Sequence, residues 1–206
     1  MKYRKMYDEF EKIKTYDELG KFLGVNDDGT FTFSYIDVVK TAGHSCPTVA
    51  GAYIIALEGL KALYSNELPQ RGNIKVELKN KPRENNTGVV GSVIAQITGA
   101  STDNGFGGMP SGKFNRRDTL VFNADIQADV RLTRLDTNKS ILISCHSEKV
   151  INPMAVLQSA ISPDATQEQK DSFPDRFQDL VHTLFNSIDK VVEIEEELSS
   201  DVNYKN

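Results

Sequence analysis

The stretch from Val49 to Leu63 constrains what this chain can fold into more than any other. It carries Val49, Ala50, Ala52, Tyr53, Ile54, Ile55, Ala56, Leu57, Leu60 and Leu63, interrupted only by Glu58 and Lys61 over its central turns. A helix that is apolar nearly all round has no face to give to water, so it belongs at the centre of a fold. Gly51 and Gly59 within it let neighbouring elements approach closely. The helix is expected to run to about Tyr64.

Its start is equally legible. Pro47 suits a first helical position, where the missing N–H would be unpaired anyway, and this puts Cys46 at or next to the N-cap. Upstream, Ser34 followed by Asp37 forms a capping box opening a helix through Ile36, Val38 and Val39, which Gly43 ends. His44 therefore follows a helix stop directly.

The 206 residues suit one domain with extensions, expected over residues 1–195, with an acidic, disordered tail over 196–206. A net charge of -5 gives no electrostatic bias toward nucleic acid or anionic lipid. No apolar run approaches the roughly 20 residues of a membrane span, and the start MKYRKMYDEFEKIK lacks the apolar stretch of a secretory signal. Two cysteines are too few for a disulfide framework, so a reduced, cytoplasmic protein is expected. The glycosylation-like Asn85-Asn86-Thr87 then carries no meaning.

Elsewhere, Met6, Phe10 and Ile13 have helical spacing, and Thr15 with Glu18 reads as a capping box for a short helix closed by Gly24. Ile74, Val76 and Leu78 alternate with charges, as in a half-buried strand. Thr87 to Gly99 is open between strand and helix. A glycine-rich loop, ASTDNGFGGMPSGK, follows. The stretches TLVFNADI, DVRLTRL and SILISCH read as three successive antiparallel strands, and an amphipathic helix starts near Pro174. The tail EIEEELSSDVNYKN is expected to fray. The class is α+β, with a central buried helix and further helices on an antiparallel sheet.

Two effects converge on Cys46. A thiol at a helix N-terminus meets the partial positive charge of unpaired N–H groups, which favours thiolate. His44 lies two residues earlier in a linker that can turn both side chains into one pocket, and thiolate with neutral imidazole suits zinc or a similar transition metal. The plainer alternative makes Cys46 a small buried hydrophobe and His44 a polar link residue. Cys145 and His146 are neighbours on a strand and point to opposite faces. His182 lies within the last amphipathic helix, in a surface or boundary role. DNGFGG lacks a G-x-G-x-x-G phosphate fingerprint, and Asp103-Asn104-Gly105 is turn chemistry that could also serve as a flap. The basic residues Arg71, Lys75, Lys79, Lys81, Arg83, Arg116, Arg117, Arg131 and Arg134 form a solvated sheet face or attract an anionic ligand, with no interleaved aromatics to mark a nucleic-acid platform.

The segment VVKTAGHSCPTVAGAYIIALEGLKAL resembles the signature of the FmdE family, named for a component of formylmethanofuran dehydrogenase: G-H-x-C-P-G before an A-L-rich helix. VIAQITGASTDNGFGG is similar to that family's second motif, a helix ending in T-G-C-T and a glycine-containing loop. The resemblance covers roughly Ile36 to Gly108. It implies an FmdE-like α+β fold, a homodimer, a helix over Thr87 to Gly99, and zinc or another divalent transition metal near His44 and Cys46. Three departures stand out: Thr48 replaces the glycine after C-P, Ala100 the second cysteine, and Ser92 an acidic position.

The resulting expectation is a metal-binding protein with Cys46 and His44 as ligands, weaker pocket-lining roles for Asp103 and Lys113, a small-molecule ligand, and metal-assisted hydrolase or lyase chemistry. Its rivals are a non-catalytic metal carrier or accessory protein, and a metal-free enzyme with Cys46 as nucleophile and His44 as base. All three require the imidazole and the thiol to share a cavity.

Overall fold

The chain enters its fold through aromatic packing rather than through a helix. In the computed structural model, which describes residues 3–197, a 3-10 turn at Lys5–Asp8 leads into strand β1 (Ile13–Tyr16). The helix expected from Met6, Phe10 and Ile13 does not form. Tyr7, Phe10 and Ile13 are nevertheless all buried, and the Phe10 ring stacks on Phe185 with centroids 3.6 Å apart. Spacing matched a helix, but each side chain enters the core from a turn or a strand.

Helix α1 (Glu18–Phe22) is capped by Asp17, whose Oδ1 accepts the Gly20 N–H at 3.0 Å. Thr15, the expected cap, lies buried in β1 instead. Strand β2 (Thr30–Phe33) pairs antiparallel with β1. The capping box of Ser34 and Asp37 forms as expected and opens α2 (Tyr35–Ala42), which Gly43 ends in the left-handed conformation at φ 76°.

Helix α3 (Pro47–Tyr64) is the central element, buried along nearly its whole length, with Pro47 in its first turn and Cys46 as N-cap. It packs on the sheet and against α2 and two later helices. A Cβ at Gly59 would fall 2.7 Å from Leu132 Cδ1, so the helix backbone itself rests on the sheet there.

Strand β3 (Ile74–Leu78) is followed by helix α4 (Thr87–Thr98), which settles the ambiguous segment as a helix ended by left-handed Gly99. Strands β4 (Leu120–Phe122), β5 (Val130–Arg134), β6 (Ser140–Cys145) and β7 (Val192–Glu197) complete a five-stranded sheet of order β4-β3-β5-β6-β7. Of the three stretches expected as successive antiparallel strands, the second and third pair so as β5 and β6, and β3 and β7 flank them antiparallel. β4 differs: it pairs parallel with β3, so Val76 stands between Leu120 and Leu132. The crossover through α4 and the glycine-rich loop is long enough to permit that direction, which a hairpin would not.

Helices α5 (Pro153–Ile161), α6 (Gln167–Phe185) and α7 (Ile188–Val191) precede β7. α5 was not expected. α6 starts at a Thr166–Gln169 capping box and carries Pro174 inside it rather than at its start. The acidic stretch expected to fray is a strand through Glu197; residues 198–206 of the expected tail lie outside the described residues. The class is α+β. Among the described residues no helix is long and apolar enough to cross a membrane.

Candidate functional site

The loop joining α2 to α3 is held by its middle residue. Ser45 Oγ donates to Gln178 Oε1 on α6 at 2.9 Å, and Gln178 Nε2 donates to the Ser45 carbonyl at 3.0 Å. The Tyr7 hydroxyl donates to the same Oε1 at 2.6 Å, and the Tyr35 hydroxyl lies 2.9 Å from Ser45 Oγ. Burial pushes the Tyr35 phenol well above its ordinary range, against the Ser45 hydrogen bond, so it remains a donor.

After Ser45 the backbone is extended at Cys46 (φ -149°, ψ 168°) and turns into α3, with no side chain capping the helix. The first intrahelical bond is Ala50 N–H to the Cys46 carbonyl, so the N–H groups of the first turn point out of the helix toward its mouth.

His44 and Cys46 flank Ser45 but line different cavities. The exposed His44 donates Nδ1–H to the Ala42 carbonyl at 2.9 Å, which leaves the Nε2 lone pair open. It lines a cavity of about 290 Å³ together with Gly88, Val89, Ser92 and Val93 of α4. Cys46 lines one of about 570 Å³, to which α4 contributes Thr87 and Val90 with its N-cap Asn86. At 100° per residue these two sets fall on different faces of α4. His44 and Cys46 thus line two separate cavities rather than the shared one expected from the sequence.

What the larger cavity brings together is the other cysteine. Cys145, at the end of β6, lines it with Cys46, and a Cβ placed on Gly51 would lie 3.5 Å from Cys145 Sγ. The Cys145 N–H donates to Asp129 Oδ2 at 3.1 Å. Burial, and then the negative charges of Asp129 and Glu148, push the Cys145 thiol up to about 11, so it is protonated at neutral pH. One wall is apolar, from Ile55, Leu78, Val130, Leu157 and Phe177. The polar groups are mainly the side chains of Asn80, Asn85 and Asn86, with Thr48, Asp129 and Ser147. Asn85 and Asn86 take positive φ values of 48° and 60°, which asparagine tolerates better than most residues. α5, which buries none of its own residues, covers this cavity with Pro153, Met154 and Leu157.

The remaining candidates lie apart. Asp103 is exposed in the turn after α4, whose residues Ser101 and Thr102 bond Asn104. Lys113 lines a third cavity with Arg71 and Arg116. His146 is half-buried beside Glu193 and Glu148, and His182 stacks on Phe10 at the edge of the core. Ser92 shares the His44 cavity, where an acid would have supplied a second donor, while Ala100 is buried. Among the described residues no group of three or more His, Cys, Asp or Glu side chains is placed to hold a metal ion. The residues of this chain thus do not fit a joint metal centre at His44 and Cys46.

No local sequence signal marks the cavity wall. Asn80, Asp129, Leu157 and Phe177 come from separate elements and meet Cys46 only through the tertiary fold. The α5 cover did carry a signal, since Asn152 before Pro153 is a capping residue ahead of a first-turn proline, and Asn152 Oδ1 accepts the Ala155 N–H at 3.1 Å.

No protein-family model matches this chain, and no curated protein matches it. Among solved structures it is similar to a tungsten formylmethanofuran dehydrogenase FmdE-like protein from Syntrophus aciditrophicus, with 15% identity, over 84% of this chain and 78% of that one, at a TM-score of 0.39. A likeness of that size carries no weight for fold or site, and both rest on the geometry of this chain.

Proposed function

We propose that this protein binds a small organic molecule in the cavity at the mouth of α3, with Cys46 as the thiol facing it. One observation carries the reading. A single cavity of about 570 Å³ joins the uncapped α3 N-terminus, both cysteines, an apolar wall and a set of asparagine amides. A largely apolar pocket with a few convergent polar groups is how proteins hold small ligands. The open N-terminus favours a carbonyl or carboxylate oxygen of the ligand at that end, and the apolar wall takes its body. Binding is favoured over nucleophilic catalysis by the cavity linings, since His44 lines a different cavity from Cys46.

The test is protection of Cys46 from iodoacetamide. A small-molecule extract should slow its alkylation in the wild-type protein and have no effect on Gly51→Leu, whose side chain fills the cavity. An extract that protects neither form, together with native mass spectra free of any co-purified ligand, would defeat the reading.

A transition metal, zinc first, is a second reading, favoured by the His44 tautomer. A ring that donates Nδ1–H to a backbone carbonyl presents Nε2 as metal-ligating histidines do. Since Cys46 lines another cavity, further donors would come from water or from a second copy in the expected homodimer. In untagged protein, metal content lost in His44→Ala but kept in Cys46→Ala would assign the ion to the His44 side, and native protein without metal would end this reading.

A further inference from the structure

We infer that the cavity of about 390 Å³ between α1, the Gln70–Asn73 turn and the loop through Lys113 and Arg116 is a binding site for a small oxyanion, a phosphate or carboxylate group. It is separate from the cavity at the mouth of α3 and does not depend on that reading.

A single buried carboxylate faces two guanidinium groups beside this cavity. Asp17 is 2% exposed and carries two guanidinium partners. Both terminal nitrogens of Arg71 donate into the fold, Nη1 to Asp17 Oδ2 at 2.7 Å and Nη2 to the Gln96 carbonyl at 3.1 Å, and the group lies over the rings of Phe31 and Phe33. Arg116 places one terminal nitrogen, Nη2, on the two Asp17 oxygens at 2.7 and 2.8 Å. The buried Nε of each guanidinium has no hydrogen-bond partner among the described residues.

The backbone is shaped around that second guanidinium. A Cβ on Gly72 would fall 3.0 Å from Arg116 Nε, and one on Gly99 would fall 2.9 Å from Nη1. Both glycines have positive φ, 83° and 75°, so side chains are disfavoured there on two counts. One carboxylate cannot neutralise two half-buried guanidinium groups, and a charge held partly away from water without its match is costly. Arg71 shows the excess, since burial and the Arg116 charge outweigh its bonds to Asp17 and hold its pKa below the ordinary value.

On the rim, exposed Lys113 adds a cation and Glu18 a carboxylate, which leaves positive charge in excess. A guanidinium that lines a concave wall beside an exposed ammonium is suited to a planar or tetrahedral oxyanion. An incoming anion would supply the missing countercharge.

The probes are inorganic phosphate and citrate, titrated by calorimetry and thermal unfolding against chloride at equal ionic strength. The wild-type protein should bind one or both and melt at higher temperature with it. Phosphate alone would assign a phosphoryl ligand, citrate alone a carboxylate. Arg116→Gln should weaken binding about tenfold or more, as for a lost charge-assisted hydrogen bond. Lys113→Ala, on the exposed rim, should weaken it by roughly two- to fivefold without changing the ligand-free melting temperature. Glu18→Gln should strengthen it. Absence of binding to both anions would overturn the proposal, as would affinities unchanged in Lys113→Ala and Glu18→Gln, which decide the matter even where Arg116→Gln fails to fold.

Discussion

Gln178 and Ser45 stand 133 positions apart and exchange two hydrogen bonds, one in each direction, at 2.9 and 3.0 Å. That exchange ties α6 to the loop that presents Cys46. Gln178→Ala removes both bonds and leaves the Ser45 hydroxyl and carbonyl short of partners in a half-buried setting. A loss of about 1–3 kcal/mol is expected in urea unfolding. Ser45→Ala keeps the carbonyl bond and should cost less. In both variants Cys46 should react faster with iodoacetamide, because its backbone is no longer held.

The two glycines of α3 should respond oppositely to the same change. At Gly59 an added methyl meets Leu132 Cδ1 at 2.7 Å, so Gly59→Ala should destabilise by about 1–3 kcal/mol. At Gly51 it meets Cys145 Sγ at 3.5 Å, ordinary contact, and alanine's higher helix propensity should leave Gly51→Ala neutral or more stable by up to about 1 kcal/mol. Melting temperatures of the two variants check this directly.

Much of α2 and α3 was legible in the sequence, because their determinants are local. Pro47, Cys46 and the capping box of Ser34 and Asp37 act within one turn, and an all-round apolar pattern leaves no choice but burial. The errors share a cause as well. Met6, Phe10 and Ile13 mimic a helical period while belonging to a turn and a strand, and Glu193, Glu195 and Glu196 hide the alternation of Val192 and Ile194 behind a charge run. That His44 and Cys46 line separate cavities was not legible, since both cavities are completed by residues of α4, which lies forty residues on in the chain.

Alkaline pH should destabilise the fold through Cys145 and Tyr64. Burial first, then Asp129 and Glu148, raise the Cys145 thiol from 9.0 to about 11, and burial raises Tyr64 from 10.0 to about 12. The folded state holds these protons more tightly than the unfolded chain. The contribution is therefore fully present below pH 9 and lost as pH climbs from there through 11 and 12. Cys145→Ala should flatten the fall between pH 9 and 11, read as the slope of melting temperature against pH.

Acid should act through Asp17. Burial alone would raise its carboxyl, but hydrogen bonds from Arg116, the Gly20 N–H and Arg71 outweigh it and hold the group below the ordinary 3.8. Its contribution is present above that value and lost as pH falls through the folded-state value. Asp17→Asn leaves two half-buried guanidinium groups without their carboxylate and should cost about 2–4 kcal/mol in urea unfolding at neutral pH. The same variant should be less sensitive than wild type to acid below pH 4.

Among the described residues β7 is the outermost strand beside β6, and Glu193, Glu195 and Glu196 lie along it. A bare border of this kind invites another molecule to add a strand, and repelling carboxylates make that docking unfavourable. The run of glutamates thus serves as a guard rail against sheet-to-sheet polymerisation. Shortening the chain to residue 191 would uncover β6, and the shortened protein should aggregate where the intact one stays dispersed.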